Sequence, residues 1–141
     1  MTDDYNPKIV GFFCNWCTYP GMDQAAVNKL ELPANIAPIR VMCSGRISPV
    51  LIMNALLRGA DGVIVTGCHL GECHYDKGNY YGRRRFAYTK TMLDSLGLEP
   101  DRLKLGWYSA HESQDMTNMI NEFIDKLKEL GPNPIREKSS I

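Results

Sequence analysis

Four short apolar runs alternate with four helical segments along this chain, and this alternation restricts its fold more than any other feature. The strand-like runs are Lys8–Phe13, Ile39–Met42, Gly62–Thr66 and Leu103–Tyr108. The segments that show helical periodicity or helix-start residues are Met22–Leu30, Val50–Arg58, Arg83–Leu96 and Asp115–Leu130. Alternating strands and helices indicate parallel strands that are joined by right-handed crossovers, with helices on both faces of the sheet.

The predicted fold class is therefore α/β: a three-layer, flavodoxin-like domain with a four-stranded parallel sheet in the order 2-1-3-4. The Gly62–Thr66 run is apolar almost throughout, which is typical of a strand that is buried on both faces. A chain of 141 residues has the size of one domain with its own hydrophobic core. We expect this single domain to cover residues 1–132, followed by a polar C-terminal tail at residues 133–141.

All five cysteines lie at the ends of strand-like runs or in the loops just beyond them. Cys14 and Cys17 follow the first run, Cys43 follows the second, and Cys68 and Cys73 follow the third. The carboxyl ends of parallel strands meet at one edge of a sheet, and in doubly wound folds the binding crevice lies at that edge. Because neighbouring strands are about 4.8 Å apart, these thiols are expected to form one site. A group of thiolates indicates a bound metal.

Composition and charge exclude several other classes of function. Lys plus Arg balance Asp plus Glu, 16 against 16, so net charge favours neither nucleic acid nor a membrane surface as a partner. The longest apolar runs are too short to span a bilayer, and Met1–Pro7 does not resemble a signal peptide. We therefore expect a cytoplasmic protein in a reducing compartment, where thiols bind metal rather than form disulfides.

Four thiolates accept either zinc or an iron–sulfur cluster. The spacing C-x2-C, then a single Cys, then C-x4-C matches neither the four-iron nor the plant-type ferredoxin run. Three loops that converge on one edge favour a small 2Fe–2S cluster. A zinc-binding structural or interaction module is the alternative without redox chemistry. A thiol–disulfide oxidoreductase with Cys14 and Cys17 as its redox pair is a second alternative, but it leaves Cys43, Cys68 and Cys73 without a role.

Three blocks that contain the cysteines resemble a known family. They are FCNWC at residues 13–17, RVMCSGR at residues 40–46 and GCHLGECHY at residues 67–75. In this order they are similar to segments of the delta subunit of methyl-viologen-reducing hydrogenase, and the resemblance runs from about Ile9 to Leu130.

The resemblance implies an electron-transfer protein with a 2Fe–2S cluster. It implies that electrons pass between a hydrogenase or a formate dehydrogenase and the flavin-bearing subunit of heterodisulfide reductase, in a methanogenic archaeon or a related anaerobe. The sequence shows no acid–base pair and no nucleophile with a committed partner. We therefore expect an electron relay that catalyses no bond chemistry of its own.

One of the five cysteines is surplus, because a 2Fe–2S cluster takes four protein ligands. We expect Cys14, Cys43, Cys68 and Cys73 to be the ligands, since they lie at strand ends or in the loop after the third strand. Cys17 is then a nearby thiol that tunes or shields the cluster. A competing set uses Cys17 in place of Cys43, and the sequence does not decide between the two sets.

Aromatic and basic residues surround the cysteine blocks. Trp16 is expected to cover the site or the edge of the core. Tyr75, Tyr80 and Tyr81 form a predicted loop with a composition that is common at interfaces. Arg83–Arg85 are predicted to open the third helix, where positive charge opposes the helix dipole. That arrangement indicates a compensating anion, such as the cluster itself or an acidic partner surface.

Overall fold

A computed structural model describes residues 5–30 and 33–135 of the chain. Its strands are β1 (Ile9–Cys14), β2 (Ile36–Val41), β3 (Gly62–Gly67) and β4 (Leu103–Trp107). Its helices are α1 (Thr18–Val27), α2 (Pro49–Leu57), α3 (Gly78–Ser95) and α4 (Ser113–Leu130). The strands form a parallel sheet in the order β2-β1-β3-β4, which confirms the predicted α/β fold and strand order.

Two apolar cores lie on opposite faces of this sheet. One core packs α2 and α3 on the sheet and contains Phe12, Val63 and Val65. The other packs α4 on the sheet and contains Phe13 and Ile64. Successive strand residues point to opposite faces, so β3 contributes to both cores and is buried along its whole length. Within the described residues, no helix has the length and apolar composition that crossing a membrane requires.

Strand β2 begins at Ile36, whereas the sequence pattern predicts Ile39, and it ends at Val41 rather than Met42. The difference arises at Pro38, which lies just before the strand-like run that begins at Ile39. Proline cannot donate to a strand ladder, but it is tolerated in a strand at the edge of a sheet. Among the described strands, β2 pairs with β1 alone, so Pro38 is accommodated.

Helices α1 and α3 also begin earlier than predicted. Helix α1 starts at Thr18 rather than Met22, and α3 starts at Gly78 rather than Arg83. The glycines early in α3 have low helix propensity, so propensity alone does not predict that the helix includes them. Arg83–Arg85 therefore lie beyond the first turn, where the helix dipole has little effect. The predicted conflict between these arginines and the dipole is thus wrong.

The chain after α4 returns to the core. Asn133 is fully buried, and its side-chain amide donates hydrogen bonds to the carbonyl oxygens of Leu56 (2.9 Å) and Ala60 (2.8 Å) near the end of α2. Ile135 packs against the core that α2 and α3 share. The sequence pattern assigns both residues to the tail, whereas in the structure the first part of that tail packs on the domain. The rest of the predicted tail, 136–141, lies outside the described residues.

Candidate metal centre

The carboxyl ends of β1, β2 and β3 bring the cysteines to one edge of the sheet. Cys14 is the last residue of β1, Cys43 lies just after β2, and Cys68 follows β3 directly. Cys17 and Cys73 come from the loops that continue beyond β1 and β3. Four of the five residues are buried, and Cys73 is half-buried. Their sulfur atoms lie in two groups along this rim.

The first group consists of Cys14, Cys17 and Cys68, whose sulfur atoms all lie within 4.8 Å of one another. Cys14 Sγ is 3.8 Å from Cys68 Sγ, and Cys17 Sγ is 2.8 Å from Cys68 Sγ. The sequence pattern leaves Cys17 outside the expected ligand set, yet the structure places its sulfur inside this group. Three buried thiols that converge in this way are suited to binding a soft metal ion.

The second group consists of Cys43 and Cys73, whose sulfur atoms are 3.5 Å apart. The Gly45 amide donates a hydrogen bond to Cys43 Sγ (3.4 Å), at the start of the 3-10 turn Ser44–Arg46. The two groups are neighbours, because Cys14 Sγ lies 3.7 Å from the carbonyl oxygen of Met42, the residue before Cys43. The five thiols therefore lie along one rim, in one group of three and one group of two.

The thiols differ in their affinity for protons. The hydrogen bond from the Cys17 thiol and those from nearby backbone amides lower the pKa of Cys14 to about 6, and the same contact raises the pKa of Cys17. Burial raises the pKa of Cys43 to about 11 and also raises the pKa of Cys68. Cys14 is therefore a thiolate at neutral pH, which is the form that binds metal. Metal binding by Cys17, Cys43 and Cys68 would release their protons.

Buried polar side chains hold the loops that carry Cys14 and Cys68. The Cys14 amide donates to Thr18 Oγ1 (2.7 Å), and the Thr66 hydroxyl donates to the same oxygen (2.9 Å). The Asn79 side-chain amide donates to two successive carbonyl oxygens, starting at Cys68 (2.9 and 2.8 Å). These supporting residues are fully buried. The available sequence signal was Thr66, a polar residue in an otherwise apolar strand.

Aromatic side chains stand at the outer side of the first group. The Trp16 ring stacks on the His74 imidazole with the ring centroids 3.7 Å apart, and Trp16 Nε1 donates to the Tyr75 hydroxyl (3.0 Å). Trp16 and His74 line a cavity of about 210 Å³ that reaches Cys17 and Cys68. Trp16 is therefore positioned to limit the access of water to these thiols.

His69 is turned toward a carboxylate. Its Nε2 atom is hydrogen-bonded to Glu112 Oε1, and this contact lowers the pKa of Glu112. Glu112 Oε1 also accepts a hydrogen bond from the Ser109 amide (3.0 Å). His69 thus ties the loop after β3 to the loop after β4.

Two of the sulfur–sulfur distances match the edge of a tetrahedral thiolate site. A tetrahedral metal with bonds of about 2.3 Å to sulfur has a sulfur–sulfur edge of about 3.8 Å. The Cys14–Cys68 and Cys43–Cys73 distances, 3.8 and 3.5 Å, are close to this edge. The Cys17–Cys68 distance, 2.8 Å, is much shorter. Each of the first two pairs could therefore contribute two thiolates to one tetrahedral metal ion.

Two glycines make room for the second thiol group. A Cβ atom on Gly78, the first residue of α3, would overlap Cys43 Sγ and lie 3.2 Å from Cys73 Sγ. A Cβ atom on Gly45 would overlap the carbonyl oxygen of Gly78. The absence of a side chain at both positions lets the Cys43 loop pack on the start of α3. No pattern in the sequence distinguished these two glycines from the others.

Gly78→Ala is expected to lower metal incorporation strongly while the fold is retained. The added methyl group displaces the Cys43 thiol, whereas alanine is favoured over glycine in a helix by about 1 kcal/mol. The measurement is the metal content of the purified variant together with its thermal unfolding. Gly21→Ala in α1 is the matched control, because the nearest atom to its Cβ is the flexible end of Met116, at 3.1 Å. Unchanged metal content in Gly78→Ala would contradict this role.

Comparison with known proteins identifies a family and several relatives. The family model described as methyl-viologen-reducing hydrogenase, delta subunit, matches residues 9–131. The F420-non-reducing hydrogenase vhc iron-sulfur subunit of Methanococcus voltae is 48% identical over 139 residues, which cover 99% of this chain and 96% of that protein. The F420-non-reducing hydrogenase iron-sulfur subunit of Archaeoglobus profundus is 45% identical over 132 residues, which cover 94% of this chain and 96% of that protein.

A third relative has a different architecture. It is a subunit of the ferredoxin/F(420)H(2)-dependent CoB-CoM heterodisulfide reductase of Methanosarcina acetivorans, and it is 44% identical over 126 residues. The match covers 89% of this chain but only 16% of that protein. A segment similar to this domain is therefore part of a much longer polypeptide in that organism.

Proposed function

This chain belongs to the methyl-viologen-reducing hydrogenase delta subunit family, and we propose that it is an electron-transfer subunit of a hydrogenase–heterodisulfide reductase system in methanogenesis. In this proposal Cys14, Cys43, Cys68 and Cys73 hold a 2Fe–2S cluster. The protein receives electrons from a hydrogenase or a formate dehydrogenase. It passes them to the flavin-containing subunit of heterodisulfide reductase.

The observation that carries the proposal is the pairing of thiols at one rim. A 2Fe–2S cluster with four cysteine ligands has two of them on each iron. Cys14 with Cys68 and Cys43 with Cys73 supply two pairs at 3.8 and 3.5 Å. Cys17 is left as the surplus thiol. The competing set, with Cys17 in place of Cys43, would deprive Cys73 of its neighbouring thiol, so the distances favour the set that contains Cys43.

The residues of the chain hold this group, limit its hydration and surround it with hydrogen-bond donors. A 2Fe–2S cluster accepts and donates single electrons when it is bound. The stacked rings of Trp16 and His74 stand between the first thiol group and solvent. The Gly45 amide donates to Cys43 Sγ, and hydrogen bonds to cluster sulfurs are one way in which a protein sets the reduction potential. The proposed role requires no proton transfer by this chain.

The names of the relatives support the two partners. The relatives in Methanococcus voltae and Archaeoglobus profundus are named as hydrogenase subunits. The relative in Methanosarcina acetivorans is named as part of a heterodisulfide reductase, and it contains the similar segment within its own chain. We expect this domain to contact the corresponding reductase polypeptide.

Two alternatives are each favoured by one observation. The low pKa of Cys14 is a property of redox-active thiols, which favours a thiol–disulfide oxidoreductase. However, Cys14 and Cys17 are only 2% and 7% exposed, and exchange requires access to the attacking thiolate. The three-thiol group favours a zinc-binding module, because zinc also takes cysteine thiolates in tetrahedral sites.

Metal and sulfide analysis of protein that is purified without oxygen tests the proposal. We expect about two irons and two labile sulfides per chain, visible absorption, and a paramagnetic resonance signal after reduction with dithionite. A colourless protein that contains zinc would support the structural module instead. A metal-free protein whose Cys14–Cys17 pair cycles between dithiol and disulfide would support the oxidoreductase.

A further inference from the structure

The outer side of α3 carries exposed aromatic and basic side chains together. We call this the α3 surface, and its members, all exposed, are Tyr80, Tyr81, Arg83, Arg84 and Tyr88. The opposite side of the helix is buried through Asn79, Gly82, Phe86, Thr89 and Leu93. A helix face that only meets water ordinarily carries mixed charges and few large rings. The α3 surface therefore has a composition that solvation alone does not explain.

The basic residues of α3 lie in a stretch without acidic residues, whose nearest acidic neighbours in sequence are Asp76 and Asp94. Between Lys77 and Leu93 the chain has no aspartate or glutamate, and its basic residues there are Lys77, Arg83, Arg84, Arg85 and Lys90. The ion pairs among residues 5–30 and 33–135 involve none of these five. Like charges in such a cluster repel one another. A negatively charged partner would relieve this repulsion.

The aromatic side chains give the surface the character of a protein interface. Tyrosine and arginine are enriched at the centres of interfaces and among the residues that contribute most to binding. Tyr88 is 64% exposed and Tyr81 is 50% exposed. Tyr80, Arg83, Arg84 and Ala87 line a shallow cavity of about 340 Å³, which is large enough to receive a side chain. The surface thus combines charge, apolar area and a cavity.

The α3 surface and the second thiol group both lie near the N-terminal part of α3. Its helix begins at Gly78, next to the sulfur atoms of Cys43 and Cys73. At a rise of about 1.5 Å per residue, Arg84 lies roughly 9 Å further along the helix axis. A protein that binds the α3 surface and extends past the start of the helix would therefore reach the second thiol group. Electron transfer is fast only over short distances, so this position matters for a relay.

We propose that the α3 surface binds an acidic patch on a redox partner protein and holds that partner beside Cys43 and Cys73. The proposal rests on the proposed function in one respect, namely that the partner is a redox protein. Carboxylates of the partner would pair with Arg83 and Arg84, whose guanidinium groups bind carboxylates in a bidentate manner. The tyrosines would pack against apolar atoms around those pairs.

A protein is favoured over a nucleic acid as the occupant by two observations. The guanidinium group of Arg84 lies over the ring of Tyr81, 5.8 Å from its centroid, so one face of that ring is covered and does not offer a base a stacking surface. In addition, a similar segment is part of a longer reductase polypeptide in Methanosarcina acetivorans. The domain in that organism is therefore joined to the rest of a protein chain.

The test compares two charge reversals on opposite faces of the sheet. Arg84→Glu alters the α3 surface, and Lys128→Glu alters an exposed lysine of α4 by the same charge. The purified, metal-loaded protein is titrated separately with the heterodisulfide reductase and with the hydrogenase from the same organism, at low and at high salt. We expect Arg84→Glu to weaken one of these complexes about tenfold or more at low salt and to remove most of its salt dependence. Lys128→Glu should bind like the unaltered chain.

The outcomes separate this proposal from the proposed function. Equal binding by all three chains, or no binding of the unaltered chain to either protein, would overturn the docking surface. Binding to an RNA homopolymer that Arg84→Glu abolishes, with unchanged binding to both proteins, would also overturn it in favour of a nucleic acid. Iron content is measured first on every sample. A chain without iron contradicts the 2Fe–2S proposal, whereas selective weakening by Arg84→Glu in that same chain would still support the docking surface.

Discussion

Cys68→Ser is expected to abolish cluster assembly and to lower the iron content from about two atoms per chain to nearly none. Cys68 Sγ lies 3.8 Å from Cys14 Sγ and 2.8 Å from Cys17 Sγ, so the substitution removes the thiol that connects the first group. A serine hydroxyl is a hard oxygen donor and does not replace a soft thiolate. The measurement is iron and labile sulfide in protein that is purified without oxygen.

Cys17→Ser is the matched control, because it makes the same chemical change at the thiol that we propose to be surplus. This variant should keep about two irons and its visible spectrum. Normal iron content in Cys68→Ser would refute the proposed site. Loss of iron from both variants would instead place Cys17 among the ligands. Thermal unfolding of each variant distinguishes loss of the cluster from loss of the fold.

Loss of the cluster is expected to stop electron flow without dissociating the complex. With the Cys68→Ser chain in the reconstituted assembly, reduction of the heterodisulfide with hydrogen as donor should fall to the level seen when this protein is left out. The physical reason is that electrons are proposed to pass between the two enzymes through the cluster at the thiol rim. Cys68 is buried, with only 6% of its surface exposed. Its substitution therefore leaves the surfaces that bind partners unaltered.

Two measurements on the same samples make this result interpretable. Size-exclusion chromatography reports whether the assembly still forms, and turnover reports whether electrons pass through it. The Cys17→Ser chain should support both assembly and turnover. Unimpaired turnover in an intact assembly that contains Cys68→Ser would refute the relay role.

Local sequence patterns predicted most of the fold because several elements are specified by nearby residues. Ser48 and Pro49 are residues typical of a helix start, and the Ser48 hydroxyl accepts a hydrogen bond from the Leu51 amide as a helix cap does. The uniformly apolar run at 62–66 predicted a strand buried on both faces, and β3 is one. Gly131 ends α4 with a positive φ, as its position after the helical pattern predicts.

The errors occurred where tertiary contacts override local propensity. Gly78 and Gly82 are poor helix formers, so the pattern placed the start of α3 too late. In the structure both glycines lie against the turn Ser44–Arg46, where a Cβ atom would be too close to other atoms. Packing against this turn, which is distant in sequence, therefore stabilises a helical start of α3 that the local residues disfavour. Pro38 in β2 shows the same effect, since only its place at the sheet edge makes it acceptable.

The sequence by itself determined that thiols from three loops come to one edge of a parallel sheet, because the order of strands and helices dictates where the strands end. Only the tertiary structure decided how those thiols are grouped. Cys43 reaches Cys73, 3.5 Å away, because Gly45 and Gly78 allow two distant backbone segments to approach closely. Such loop positions depend on close packing between parts of the chain that no short sequence window contains.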